Sequence, residues 1–216
     1  MTKISLILNT CSLDSQADQF RNPFRSTSYR DRAVTLEETI SLMEGFDEII
    51  VAGSFKEDTQ EKFPRWKYVP VQPRFRDRRD ALYQREFGAR HSTGDVLVFC
   101  HDDHRPGAGF SKTLIWRYIK GSKYDKILPY LEDWDLIVPE RRHFVTDEIL
   151  NNGKESDYMG GHCLVMRRSL WAEVPWTTLD TEFWDTSMTR LWREKGVIQF
   201  VDDLVHLDME ATEDEH

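Results

Sequence analysis

Short apolar runs alternate along the chain with longer amphipathic or polar stretches, and that rhythm predicts an α/β fold. Ile4–Leu8 is an unbroken apolar run ending at Asn9-Thr10, and Glu48–Ala52 is a second run closed by Gly53-Ser54. Tyr68–Val71, punctuated by Pro70 and Pro73, is a third, and Val96–Cys100 a fourth. Runs this short, apolar at nearly every position, suit strands covered on both faces. Between them, Thr35-Leu36-Glu37-Glu38 reads as a capping box that opens a helix with Leu36, Ile40 and Met43 on one face. Asp77–Arg90 places Ala81, Leu82, Arg85 and Ala89 at helical spacing. Repeated β-α-β steps of this kind predict a mostly parallel central sheet flanked by helices.

The second half is more broken. A helix is expected over Ser111–Lys120, and strands over Leu136–Val138 and Cys163–Met166. Trp184–Lys195 repeats at helical spacing, with Trp184, Met188, Leu191 and Trp192 inward and Gly196 as its stop. Phe200–Val201 and Leu204–His206 predict a final strand pair. Ser12–Arg32 carries no apolar periodicity and is long for a compact connection, so it is expected to be a functional loop or disordered. Neither a repeat nor a low-complexity linker interrupts the chain, and one domain over 1–216 is the expected count.

Composition narrows the class. Of 216 residues, 39% are hydrophobic and 31% charged, enough apolar material for a sizeable core. No apolar run approaches the roughly 18 residues that span a bilayer. The three cysteines, Cys11, Cys100 and Cys163, lack metal-type pairing, which with the absence of a signal-like start predicts a reducing, cytoplasmic setting. A net charge of −9 disfavours nucleic acid as a partner. The charge is uneven, however. Arg65, Lys67, Arg74, Arg76, Arg78, Arg79, Arg85 and Arg90 make a basic zone inside an acidic protein, which suits a small anionic ligand.

The fourth run ends abruptly in His101, Asp102, Asp103 and His104. Ligands of open α/β sheets bind outside the carboxyl ends of the strands, where this cluster falls. A bland reading makes Asp102 and Asp103 a strand-end turn and a helix cap. Adjacent carboxylates repel unless a cation or proton lies between them, however, and a divalent metal carrying a phosphorylated substrate explains the group more economically.

Arg85-Glu86-Phe87-Gly88-Ala89-Arg90-His91-Ser92-Thr93-Gly94-Asp95, continued by Val96–Asp103, resembles the R-N-x-G…G-[DE]-[YV]-[LI]-x-F-L-D-x-D-D signature of family 2 glycosyltransferases with the GT-A fold. The likeness extends to Ile4–Cys11, similar to that family's opening strand, and to Asp47–Ser54 in the place of its second strand. Gly160-Gly161 followed by Val165–Ser169 is similar to its acceptor-side segment, so that only 12–34 and 121–157 stay unmatched.

The resemblance implies a single GT-A-like domain, with a nucleotide-sugar-binding half over 1–106 and an acceptor and catalytic half over 107–216. It implies a Mn²⁺ or Mg²⁺ cofactor and transfer of a sugar from a nucleotide-sugar donor to a hydroxyl acceptor, a glycan or lipid-linked molecule, with inversion. Asp103 corresponds to the metal-holding end of the D-x-D motif, and His206 to a late histidine that completes the metal site. His101 stands where the family has its first aspartate and joins the expected metal set. Asp102 takes the variable position and a ribose contact. Thr10 and Ser54 fall where strand ends meet the nucleotide, and Arg85 corresponds to a helix arginine suited to a diphosphate. The general base is expected among Asp180, Glu182 and Asp185, with Asp185 best by spacing. Any one of these is otherwise a helix cap. Trp171, Trp176 and Trp184 around that segment are sugar-stacking candidates whose alternative is core packing.

Three other functions compete. A nucleotidyltransferase wants a glycine-rich loop after the first strand, and Asn9–Gln16 has no glycine. A transferase acting on modified DNA bases is suggested by the arginines of 12–34 and opposed by the acidic total. A sugar-nucleotide-binding protein without turnover is suggested by His101.

Overall fold

The computed structural model describes residues 3–10, 46–53, 60–61, 63–72, 79–101, 104–106, 136–143, 149–151, 163–173, 176, 184–195 and 198–208. Strands β1 (Ile4–Thr10), β2 (Glu48–Gly53) and β3 (Lys67–Pro70) precede helix α1 (Arg79–His91) and strand β4 (Val96–His101). Strands β5 (His104–Pro106), β6 (Leu136–His143), β7 (Ile149–Asn151) and β8 (Cys163–Arg167) follow. Helices α2 (Arg168–Glu173) and α3 (Trp184–Lys195) then lead to β9 (Ile198–Asp208).

Among the described residues the nine strands form one sheet, ordered β3-β2-β1-β4-β8-β6-β9-β5, with β7 paired to β6. The half β3-β2-β1-β4 is wholly parallel. Beyond β4 the sheet is mixed, with β8 antiparallel to both β4 and β6, and β9 parallel to β6.

The parallel half shows why the apolar runs carried such clear signals. Ile4 to Asn9 of β1 are all buried, as are Val96 to Cys100 of β4. On one face, Ile7, Ile50, Ala52, Leu97, Phe99, Leu164 and Met166 pack with Leu82 and Ala89 of α1 and with Trp176, Met188 and Trp192. On the other, Leu6, Leu8, Val51, Val98 and Val165 are equally buried. Helix α1 lies close on the sheet because of Gly88, where a Cβ would stand 2.5 Å from Ile7 Cγ2.

Buried and half-buried polar side chains lock the loops at the amino ends of these strands. Ser5 Oγ donates to Glu48 Oε2 at 2.7 Å and accepts the Gly94 N–H at 2.8 Å, while Glu48 Oε2 also accepts the Thr93 N–H at 2.7 Å. Arg168, the first residue of α2, donates to the Gly94 and Ala89 carbonyls and to Ser92 Oγ, fastening the α1–β4 connection. Burial is the main influence on its guanidinium and lowers its pKa, against the charges of Glu48 and Asp95, which raise it.

The expected elements recur with shifted ends. The first strand runs on through Asn9 and Thr10, and the fourth through His101, because both edges find ladder partners there. The strand expected over Leu136–Val138 extends to His143. The expected pair Phe200–Val201 and Leu204–His206 is instead the single strand β9. Pro139 faces Val201 while Glu140 faces Val205, so residues 202–204 form a bulge rather than a turn. The expected helices over Leu36–Met43 and Ser111–Lys120 lie outside the described residues.

Candidate functional site

Successive connections leave β1 toward β2 on one side and reach β4 on the other, so the strand order switches between β1 and β4. Open α/β sheets bind ligands at such a point, at the carboxyl ends of the two strands. Asn9 and His101 are directly paired there. Side chains alternate along strands, so Asn9 shares the face of Ile7, and His101 the face of Phe99, both on the α1 side.

Arg85 of α1 reaches this end of the sheet. Its Nε–H donates to Asn9 Oδ1 at 2.9 Å, and Asn9 Nδ2 stands 3.3 Å from His101 Nδ1. Arg85 is 0% exposed, whereas His101 is half-buried at the end of β4. A charge so deep needs compensation. Besides Asn9, the Trp176 ring lies 5.7 Å from the guanidinium carbon, and Trp176 packs on Phe99 with centroids 4.4 Å apart.

The next residue of α1, buried Glu86, carries the next layer of support. Its Oε2 accepts the Trp176 backbone N–H at 3.1 Å and the Trp171 indole N–H at 3.2 Å, and its Oε1 accepts Arg90 Nε–H at 2.8 Å. Glu86 therefore holds Trp176 against Phe99 and the Arg85 guanidinium. Trp176 is 0% exposed, which makes it a core residue rather than an open platform for a sugar, and Trp171 is half-buried.

Cys100 and Cys163 face each other across β4 and β8 as free, buried thiols. Burial pushes the Cys163 thiol well up, its hydrogen bond and proximity to Cys100 add to the rise, and the Arg85 charge opposes it. Such thiols are inert.

Of the residues singled out in the sequence, Arg85 and His101 are brought together, with Asn9 between them. Thr10 ends β1 opposite Gly53. Asp185 is the second residue of α3, and His206 lies on β9 opposite Pro106 of β5 and Arg141 of β6. For Thr10, Asp185 and His206 the backbone alone is described. Ser54, Asp102, Asp103, Asp180 and Glu182 lie outside the described residues. Among the described residues no three His, Cys, Asp or Glu side chains group to hold a metal, and no helix is long and apolar enough to cross a membrane. Sequence reasoning missed Asn9 and took it only for the strand's end. The available signal was a polar residue in phase with Ile7, two positions on.

No family model matches the chain, and no curated protein matches it. Solved structures do. The glucosyl-3-phosphoglycerate synthase of Mycobacterium tuberculosis, in complex with Mn²⁺, UDP-glucose and glycerol 3-phosphate, superposes with a TM-score of 0.61 at 16% identity. That match covers 99% of this chain and 74% of the synthase. TarS 1-349 of S. aureus matches with a TM-score of 0.55 at 11% identity, covering 94% of this chain and 59% of its own. The 4-diphosphocytidyl-2C-methyl-D-erythritol synthase of Anaerococcus prevotii gives 0.50 at 13% identity, covering 99% and 93%. The sheet order, the helices on its face and these superpositions agree that the chain has the α/β fold of the GT-A type glycosyltransferases.

Proposed function

We propose that this protein is a metal-dependent glycosyltransferase that takes a sugar from a nucleotide-sugar donor, bound at the carboxyl ends of β1 and β4, and transfers it with inversion to a hydroxyl acceptor. The observation that carries the reading is the polar chain Arg85–Asn9–His101 at the switch point, joined directly to Asp102-Asp103. The donor set suits a hard cation. Asp102 and Asp103 fill the two positions between His101 and His104, and β5, which begins at His104, pairs with the strand that carries His206. Asp103 and His206 would hold Mn²⁺ or Mg²⁺, which neutralises charge developing on a diphosphate leaving group. The structural neighbour with Mn²⁺ and UDP-glucose supports that pairing of metal and donor.

The chain's own residues supply position and proton transfer. Arg85, buried and bonded to Asn9, sets the floor of the nucleotide site and adds positive potential beneath it. Thr10 and Ser54, at and after the ends of β1 and β2, line the side toward the base, with Asp102 toward the ribose. Asp185, in the first turn of α3, takes the acceptor's proton. One domain over 1–216 carries both functions, donor binding in 1–106 and acceptor binding in 107–216.

The test is turnover of sugar nucleotides with and without EDTA, in the native protein and in Asp103→Ala. Loss of transfer and hydrolysis in both cases supports the reading, and unchanged turnover by Asp103→Ala overturns the metal site. The replacement of the family's first aspartate by His101 favours one second reading, a sugar-nucleotide-binding protein without turnover. Metal-dependent thermal stabilisation by sugar nucleotides with no product across acceptors would select it.

A further inference from the structure

Gln84 of α1 is 1% exposed, and its Nε2 donor finds no hydrogen-bond partner among the described residues. A buried amide left in this state is costly, and a leucine or methionine would fill a similar volume without the loss. The two residues that follow it are bonded, Arg85 to Asn9 and Glu86 to Trp171, Trp176 and Arg90. The place of Gln84 follows from Gly88, four residues on and so on the same stripe of the helix. A Cβ at Gly88 would meet Ile7 Cγ2 at 2.5 Å and Ala52 Cβ at 3.3 Å, so the stripe lies over β1 and β2. Helix α1 runs against the direction of those strands. Arg85 reaches Asn9 near the carboxyl end of β1, whereas Ala89 and Ser92 meet Arg168 beside the amino end of β4. One turn back from Gly88 is about 5.4 Å, or about 1.6 strand residues, which brings Gln84 to the level of the paired Thr10 and Gly53. Helix positions turn by about 100° per residue, so Gln84 and Glu86 occupy opposite flanks. Glu86 faces α2 and Trp176, and Gln84 therefore faces the side of β2 and β3.

We infer that Gln84 is a specificity-determining residue of the donor site, and that its Nε2–H donates to a carbonyl oxygen of the nucleotide base. The inference rests on the nucleotide-sugar reading above, which puts the diphosphate at β4 and the base toward Thr10 and Ser54. β2 stands two strand spacings from β4, about 10 Å, so a group on the β2 side of α1 serves the base end of the donor rather than its phosphates. Gly53 ends β2 with φ at 138°, a conformation that L side chains rarely adopt. Its bare backbone permits the close approach of a planar ring at the level of Gln84. A carbonyl-bearing base such as uracil brings the acceptor that the buried amide lacks. The free protein carries the cost of the unmet donor, and the bound base removes it.

The test separates the base from the phosphates. UDP and inorganic pyrophosphate, each with Mg²⁺, are titrated calorimetrically into the native protein, Gln84→Met and Gln84→Leu, and the free proteins are unfolded in urea. Both variants keep the volume of the side chain and remove the amide. UDP affinity should fall about 10-fold in each, the scale of one lost hydrogen bond, while pyrophosphate affinity stays within about 2-fold of the native value. The urea midpoints should equal or exceed the native one, because the variants no longer bury an unmet donor. That pairing of kept stability with weakened UDP binding is what a packing role would not produce. UDP affinity within about 2-fold of native, or an equal loss for pyrophosphate, overturns the inference. A lowered midpoint with unchanged UDP binding overturns it too, and assigns the amide to a buried water. Failure of the native protein to bind UDP is a separate result, which overturns the nucleotide reading itself and this contact with it.

Discussion

Replacing Glu86 by alanine should destabilise the fold far beyond the loss of a surface ion pair. The carboxylate is 1% exposed and accepts three hydrogen bonds, from the Trp176 backbone N–H, the Trp171 indole and Arg90. These are unequal. Arg90 is 57% exposed and one helical turn away, so its pairing is worth about 0.3–0.5 kcal/mol. The Trp176 amide is buried, and stranding a buried donor costs about 1–3 kcal/mol. The half-buried Trp171 indole adds up to about 1 kcal/mol. The total is about 1–5 kcal/mol, or a fall in Tm of about 3–18 °C for a chain of this size. Urea unfolding followed by circular dichroism would measure it, beside Arg90→Ala, for which a change below about 0.5 kcal/mol is expected. A midpoint for Glu86→Ala within error of the native one, or an equal loss in Arg90→Ala, would refute the assignment of Glu86 as the joint between α1 and the Trp176 segment.

Further outcomes follow from the same packing. Gly88→Ala places a methyl group 2.5 Å from Ile7 Cγ2 and should cost about 1–3 kcal/mol in urea unfolding through overpacking. Arg168→Lys should not rescue the loss in Arg168→Ala, because one ammonium cannot reach the Gly94 and Ala89 carbonyls and Ser92 Oγ together. Matched melting curves would show the two variants alike. Burial pushes the Tyr68 phenol up to about 12 from 10.0. Its contribution to stability is therefore intact below pH 10, where both states keep the proton, and is lost between pH 10 and 12 as the unfolded chain ionises first. The fall should be shallower in Tyr68→Phe. Cys100 and Cys163 should resist iodoacetamide in the folded protein and react fully in urea, as mass spectrometry of the labelled peptides would report.

Legibility in the sequence divided along the range of the forces involved. β1, β2 and β4 were readable because a strand covered on both faces must be apolar at nearly every position, and α3 because Met188 and Trp192 recur at helical spacing. The three-residue strand β5 was not, since its pairing with β9 at the sheet's edge tolerates Pro106 and leaves no periodicity. Asp202-Asp203 separate the two runs expected as a strand pair, yet a bulge in β9 absorbs them. At the site, Arg85 and His101 were visible as a charged residue on an apolar helix face and as a strand ending in polar groups. Asn9 was not, because its meaning depends on Arg85, 76 positions along the chain, and His101, 92 positions along. Glu48, Glu86 and Arg168 were equally silent, since a charged residue is unremarkable in sequence until the fold delivers its partners.

The account's central claim is that the end of β1 and β4 receives a nucleotide sugar together with a divalent cation. Calorimetric titration of UDP-glucose into the protein with Mn²⁺ tests it most directly, repeated with EDTA and with Asp103→Ala. Saturable binding in the first experiment, lost in the other two while the variant keeps the native melting temperature, is the predicted result. Binding that survives both the removal of metal and the loss of Asp103 would contradict it.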